Sequence, residues 1–250
     1  MLLAAEPCAP LPPRLLPQVN TCSTLALLYN DSSVLENHHC ASAFATFART
    51  RLLASLSDAD FKALRRVVVA AIISTDMSAH KELLARVRSR LATHDDDAGG
   101  AHSSHAVCAR GFDRRVAEHR QLVVEFMLHC ADLSTPLLPP AMSQRIATDL
   151  GREFAAQAAA ERAAGLPVTV MTAADDVERA RQEVGFLDFV VRPLYVLMGA
   201  MSGGLGSRCL ALIDANRAAW SAIIREAEGS DDRPTLRRRS STIGVPRGSE

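Results

Sequence analysis

From Leu25 onward the apolar residues of this chain recur at three- and four-residue spacing, while strand-like alternation is scarce. Each segment therefore carries one apolar stripe that only another helix can cover, and the expected fold is all-α, a compact multi-helix domain. Aromatic residues make up only 4% of the sequence, which also argues against a strand-rich core. With 250 residues, 48% of them apolar, there is enough material for one sizeable core, as one domain or one domain with tails.

Local signals divide the chain. Residues 1–19 are proline-rich and lack helical periodicity, which predicts an irregular lead-in; the domain proper is expected over 20–228. Ser57, with Asp60 three residues on, reads as the cap of a helix carrying Phe61, Leu64, Val68 and Ile72 and ending before Thr75. A second helix is predicted from Met77 to Leu91, followed by a polar exposed loop from His94 to Ser104. Further helices are predicted over Arg114–Cys130, Gln144–Ala164, Glu178–Met201 and Cys209–Glu228, with Gly165, Leu166 and Pro167 as a stop signal and Pro193 as a kink. Residues 229–250 are polar and basic and read as a disordered tail.

Lys plus Arg and Asp plus Glu number 28 each, so nothing in the net charge favours nucleic acid or an anionic membrane as partner. The six cysteines (Cys8, Cys22, Cys40, Cys108, Cys130, Cys209) include no CxxC pair, which fits a reducing compartment. The apolar start lacks a basic n-region and is broken by Pro7, Pro10, Pro12 and Pro13, unlike a signal peptide. The longest apolar run, Val67–Ile73, is far short of a bilayer span. A cytoplasmic protein acting on a small molecule or a protein partner is the expectation.

Four blocks carry a family resemblance: Leu25–Phe44 (LALLYNDSSVLENHHCASAF), Ile73–His80 (ISTDMSAH), Met127–Pro136 (MLHCADLSTP) and Val184–Leu194 (VGFLDFVVRPL). Between the last two, Glu153, Phe154, Gln157, Glu161, Arg162 and Gly165 stand in the spacing EFxxQxxxERxxG. In this order, over residues 20 to 228, the chain resembles the catalytic domain of class I 3′,5′-cyclic nucleotide phosphodiesterases, of the HD superfamily. The resemblance implies hydrolysis of cAMP or cGMP to the 5′-monophosphate at a two-metal centre of Zn²⁺ with Mg²⁺ (or Mn²⁺). Two cations there would hold a bridging hydroxide and stabilise charge in an in-line displacement.

Carried over residue by residue, the resemblance implies that Asp132 is a metal ligand and that Glu36 and Thr75 hold metal-bound water, with Asp76 beside them. It implies that Phe186 and Met171 sandwich a purine. The base-contacting glutamine and asparagine of the family are here Glu183, with Gln182 one position earlier, and Thr135. An ionised Glu accepts hydrogen bonds and donates none, so Glu183 is expected to leave one base acceptor without a partner. Ala158 and Ala159 replace the Gly-Asp that commonly follows Gln157. His38 and His39 lie outside the family's primary metal set, and His80 reads as polar support rather than a ligand.

The HNxxHA and HDxxHxGxxN motifs, which supply the family's other metal ligands and its general-acid histidine, do not occur in the 250 residues. Their place ahead of Asn30 reads EPCAPLPP. No catalytic residue is therefore assigned, and the domain is expected to be N-terminally incomplete and inactive in isolation. Three readings stay open: a fragment of an active hydrolase, a catalytically dead paralogue that binds nucleotide or partners, and a helical scaffold. In the basic tail, Arg237, Arg238 and Arg239 precede Ser240 and Ser241, the pattern a basophilic kinase accepts.

Overall fold

The computed structural model describes residue 19 and residues 23–97, 111–202 and 204–231. Residues 1–18 of the Pro-rich lead-in, most of the predicted His94–Ser104 loop and the tail with Ser240 and Ser241 lie outside them. The described residues form an all-α domain of nine α-helices, with two short 3₁₀ turns and one π turn and no strand.

The first layer is α1 (Thr24–Leu28), α2 (Val34–Thr50) and α3 (Asp58–Ile73). Between α1 and α2 the chain bends through three non-glycine residues at positive φ, Asn30, Asp31 and Ser33. Asn and Asp tolerate this region through their short polar side chains. Ser33 is held there because its hydroxyl donates to Asp76 at 2.8 Å, across 43 residues of sequence. Helix α3 starts as the sequence predicts: the Ser57 hydroxyl accepts from the Asp60 N–H.

The predicted helix from Met77 begins as a 3₁₀ turn, Met77–Ala79, capped by Asp76, before α4 runs from His80 to Asp97. Asp76 and His80 thus share no continuous helix face. The backbone stays helical through His94–Asp97, where a loop was expected; Thr, His and Asp are poor helix formers but not breakers, and the first glycine is Gly99. Helix α5 (Ala117–Asp132) starts three residues later than predicted, because Asp113 accepts from the Arg115 N–H and holds residues 113–116 in a turn. Helix α6 (Pro140–Ala163) starts four residues earlier, on a proline in its first turn, where a missing N–H costs nothing.

The predicted stop after α6 is present in detail. Gly165 has φ +68°, its N–H reaches the Arg162 carbonyl and the Leu166 N–H reaches that of Glu161, a Schellman closure that favours glycine. The predicted kink at Pro193 takes a different form. Helix α7 (Asp176–Phe186) passes through a π turn, Leu187–Val191, into α8 (Arg192–Ser202). Pro193 has no N–H and its ring crowds the carbonyl four residues back; widening the preceding turn, with the Arg192 N–H bonded to Leu187 O, accommodates both. Helix α9 (Gly204–Asp231) continues past Gly229, beyond the predicted end.

The main core lies under α4, α5, α8 and α9, around fully buried Val87, Phe126, Leu194, Tyr195 and Ile213. Helices α8 and α9 meet closely at Gly199 and Gly206, where a Cβ on Gly206 would come within 2.1 Å of the Gly199 Cα. Asn216, also buried, ties α9 to the 3₁₀ turn Thr135–Leu137 by donating to the carbonyls of Pro136 and Leu138. The segment Asp176–Ser202 is long and apolar enough to cross a bilayer, yet its Leu187, Val191, Leu194 and Tyr195 are buried in this core. The first layer contributes only Ala26, Val34, Cys40 and Ala71 as buried apolar residues, and none belongs to the main core.

Candidate functional site

Helices α6 and α7 and the strap between them border a half-open cavity of about 250 Å³. Its wall includes Phe154 from α6, Met171 from the strap, and Arg179, Gln182, Glu183 and Phe186 from α7. Three residues expected at the purine site, Glu183, Phe186 and Met171, thus meet in one cavity. Thr135 is not part of its wall; it sits in the 3₁₀ turn after α5.

The strap is fastened by Glu161. This fully buried carboxylate accepts from the Thr169 N–H at 2.8 Å, the Thr169 hydroxyl at 2.7 Å and the Gln157 amide at 2.8 Å. Burial pushes its pKa up, but the bonds from Gln157 and Thr169 outweigh it and hold the carboxyl below its usual range. Gln182 adds a second tie by donating to the Thr172 carbonyl at 3.1 Å. One N–H of the Gln182 amide is thereby held on the strap. The EFxxQxxxERxxG spacing contained this arrangement, since Gln157 and Glu161 lie one helical turn apart. The partner, Thr169, carried no signal of its own.

The Glu183 carboxylate receives no hydrogen bond from any described residue, whereas its backbone carbonyl accepts from the Leu187 N–H. Burial raises its pKa, opposed by Arg179 one turn earlier. Arg179 is bound to Asp176 at 2.7 Å, and its Nε lies 3.4 Å from where a side chain at Gly151 would begin. Gly151 in α6 therefore leaves the room that Arg179 occupies in the wall. Nothing in the sequence motifs pointed to this arginine.

The expected metal side is arranged differently. Asp132, at the last residue of α5, is exposed. Glu36 lies in the first turn of α2, and the Thr75 hydroxyl donates to the Ile72 carbonyl at 2.8 Å. Asp76 accepts from Ser33 and from the Ser78 N–H; burial raises its pKa, but these bonds prevail and lower it. His80 and His129 are buried and bonded to each other, Nδ1 to Nε2, at 2.8 Å. Burial lowers both pKa values, with Lys81 adding to the effect at His80; at His129 the neighbouring His80 adds to it and Asp132 opposes it. His80 thus spends its Nδ1 on His129, a residue of the third block to which the motifs gave no role. The His129 Nδ1 has no partner among the described residues.

These donors do not fit a pair of divalent cations. Among the described residues no three His, Cys, Asp or Glu side chains come together as a metal site. The two buried imidazoles use their facing nitrogens on each other, and Asp132 alone cannot hold two ions.

The described residues make an all-helical domain with a half-open cavity between α6 and α7. The family profile of 3′5′-cyclic nucleotide phosphodiesterase matches residues 17–208, and the chain belongs to that family. It is 30% identical over 221 residues to a 3′,5′-cyclic-AMP phosphodiesterase, isoform F, of Drosophila melanogaster, covering 86% of this chain and 32% of the relative. It is 33% identical over 179 residues to 3′,5′-cyclic-AMP phosphodiesterase 4C of Mus musculus, covering 71% and 25%. The crystal structure of the phosphodiesterase domain of Salpingoeca rosetta rhodopsin phosphodiesterase superposes with a TM-score of 0.74 at 30% identity, over 88% of this chain and 63% of that one. The chain thus spans about a third or less of these curated relatives, and under two thirds of the solved domain.

Proposed function

We propose that this chain carries the base-binding part of a 3′,5′-cyclic nucleotide phosphodiesterase domain, and that these residues alone bind cyclic nucleotide without hydrolysing it. The observation that carries the reading is the α6–α7 cavity, where Phe186, Met171 and Glu183 line one wall system as the family resemblance requires. Apolar faces would hold the purine and polar groups on α7 its edge. Hydrolysis in this family draws on Zn²⁺ and Mg²⁺, which stabilise charge on the phosphoryl oxygens. Asp132, with Glu36 and Thr75 in supporting positions, is the part of that arrangement this chain offers. The scattered donors support a binding role over turnover.

The test is to assay the purified chain with cAMP and cGMP in Mg²⁺, Mn²⁺ and Zn²⁺, alongside equilibrium binding of both nucleotides. Saturable binding with no product is expected. Turnover near or above about 1 s⁻¹, the lower end of ordinary enzyme rates, overturns the inactive reading. The reading includes a cytoplasmic location. It also includes regulation by a basophilic kinase at Ser240 or Ser241, where a phosphate would add about −1.5 to −2 charge beside three arginines. Peptide mapping after incubation with such a kinase checks this; no label within residues 235–245 removes it.

A further inference from the structure

The cavity wall holds a carboxylate that lacks donors. Glu183 lines a largely apolar surface, no described group donates to it, and burial opposes its charge. The neighbouring Gln182 amide holds one N–H on the Thr172 carbonyl, and its other N–H makes no bond to Glu183. What would suit this wall is a planar ligand that brings N–H groups to Glu183.

We propose that Glu183 reads the Watson–Crick edge of guanine, so that the cavity selects a guanine nucleotide over an adenine nucleotide. The inference rests on the base-binding role proposed above for the same cavity. An ionised carboxylate presents two acceptor oxygens side by side. Guanine presents two donors side by side, N1–H and N2–H, so the pair forms two charge-assisted hydrogen bonds. Beside them on guanine lies O6, an acceptor, and the wall supplies a cation for it in Arg179, one turn before Glu183 and seated over Gly151. Adenine offers one donor, N6–H, next to a bare acceptor, N1. That lone pair would face a carboxylate oxygen with no proton between them. The sequence relatives reported above bear the names of cyclic-AMP phosphodiesterases, so the substitution points this chain away from their purine.

The experiment measures equilibrium binding of cGMP and cAMP by isothermal titration calorimetry. It uses the full 250-residue chain, its Glu183→Gln variant and its Arg179→Ala variant, with circular dichroism confirming that each is folded. The native chain is expected to prefer cGMP by at least about tenfold, the scale of one mismatched hydrogen-bonding edge in a half-open site. Glu183→Gln, which offers one donor and one acceptor, is expected to erase most of that preference. Arg179→Ala is expected to weaken cGMP and leave cAMP nearly unchanged. Equal affinities, a preference for cAMP, or a cGMP preference that survives Glu183→Gln overturns the guanine assignment while leaving the cavity as a base site. Failure of both nucleotides to bind the native chain and the Gln variant overturns the base site itself, and the guanine assignment with it.

Discussion

The two sides of the proposed site differ in how they are assembled. The base side is contiguous: its wall comes from two helices and the strap joining them, within residues 147–186, and local bonds such as Glu161 to Thr169 and Gln182 to Thr172 set its shape. The metal side is dispersed: Glu36 stands on α2, Thr75 just after α3, His80 on α4 and His129 and Asp132 on α5, with Ser33 tied to Asp76 and His80 to His129. A pocket made by one helical hairpin needs only that hairpin and the core beneath it. A metal centre needs several distant segments to converge to within a few tenths of an ångström, and the loss of any one leaves the others without a shared ligand.

Both sides rest on one core, and damage there should have the largest effect. Phe126 is fully buried on α5, and Phe126→Ala is expected to cost about 3–5 kcal/mol. Urea unfolding should show that loss, with nucleotide binding disappearing in parallel. A base side that kept its affinity in this variant would mean that α6 and α7 fold independently of α5.

Glu161→Ala should separate the two sides. Removing the carboxylate frees Thr169 and the strap, so amide exchange over residues 165–175 is expected to accelerate and nucleotide affinity to fall, while α1–α3 keep their protection. Exchange that accelerates equally in all helices would show that the strap is not a local device.

Acid acts on the other side first. The pKa values of His80 and His129 are lowered in the folded protein, so the unfolded chain binds more protons below its own value of about 6.5. The contribution of the neutral pair is full above that value and is lost as pH falls through it toward the lower folded values. Stability should therefore drop between pH 7 and 5. The double variant His80→Leu, His129→Leu should show a flatter profile in urea titrations.

Glu183 responds to pH with the opposite sign, because burial raises its folded pKa. Its favourable contribution is full below about 4.3 and is lost as pH rises through the folded value. Glu183→Gln is accordingly expected to be slightly more stable than the native chain at pH 7, by less than about 1 kcal/mol, with the gap closing in acid. The smallest effect is expected at exposed Asp132. Asp132→Ala should change stability by no more than about 0.5 kcal/mol and leave divalent-cation binding, measured by calorimetry, unaltered. A clear loss of metal affinity would show that the donors converge after all.

The sequence by itself determined the all-helical class, the Ser57 cap, the Gly165 stop and the family, because these rest on spacing and on backbone chemistry that a few adjacent residues dictate. It also placed Glu183, Phe186 and Met171 together, through motifs whose order matches a known domain. Tertiary structure alone decided the rest: that His80 meets His129 from 49 residues away, that Pro193 is accommodated by a π turn, and that Arg179 enters the cavity over Gly151. It also decided that Thr135 stands outside the cavity wall and that exposed Asp132 belongs to no cluster of three metal-ligating side chains among the described residues. The physical reason is range: capping and periodicity act within one or two helical turns, whereas side-chain pairing between helices depends on how whole apolar faces settle against one another.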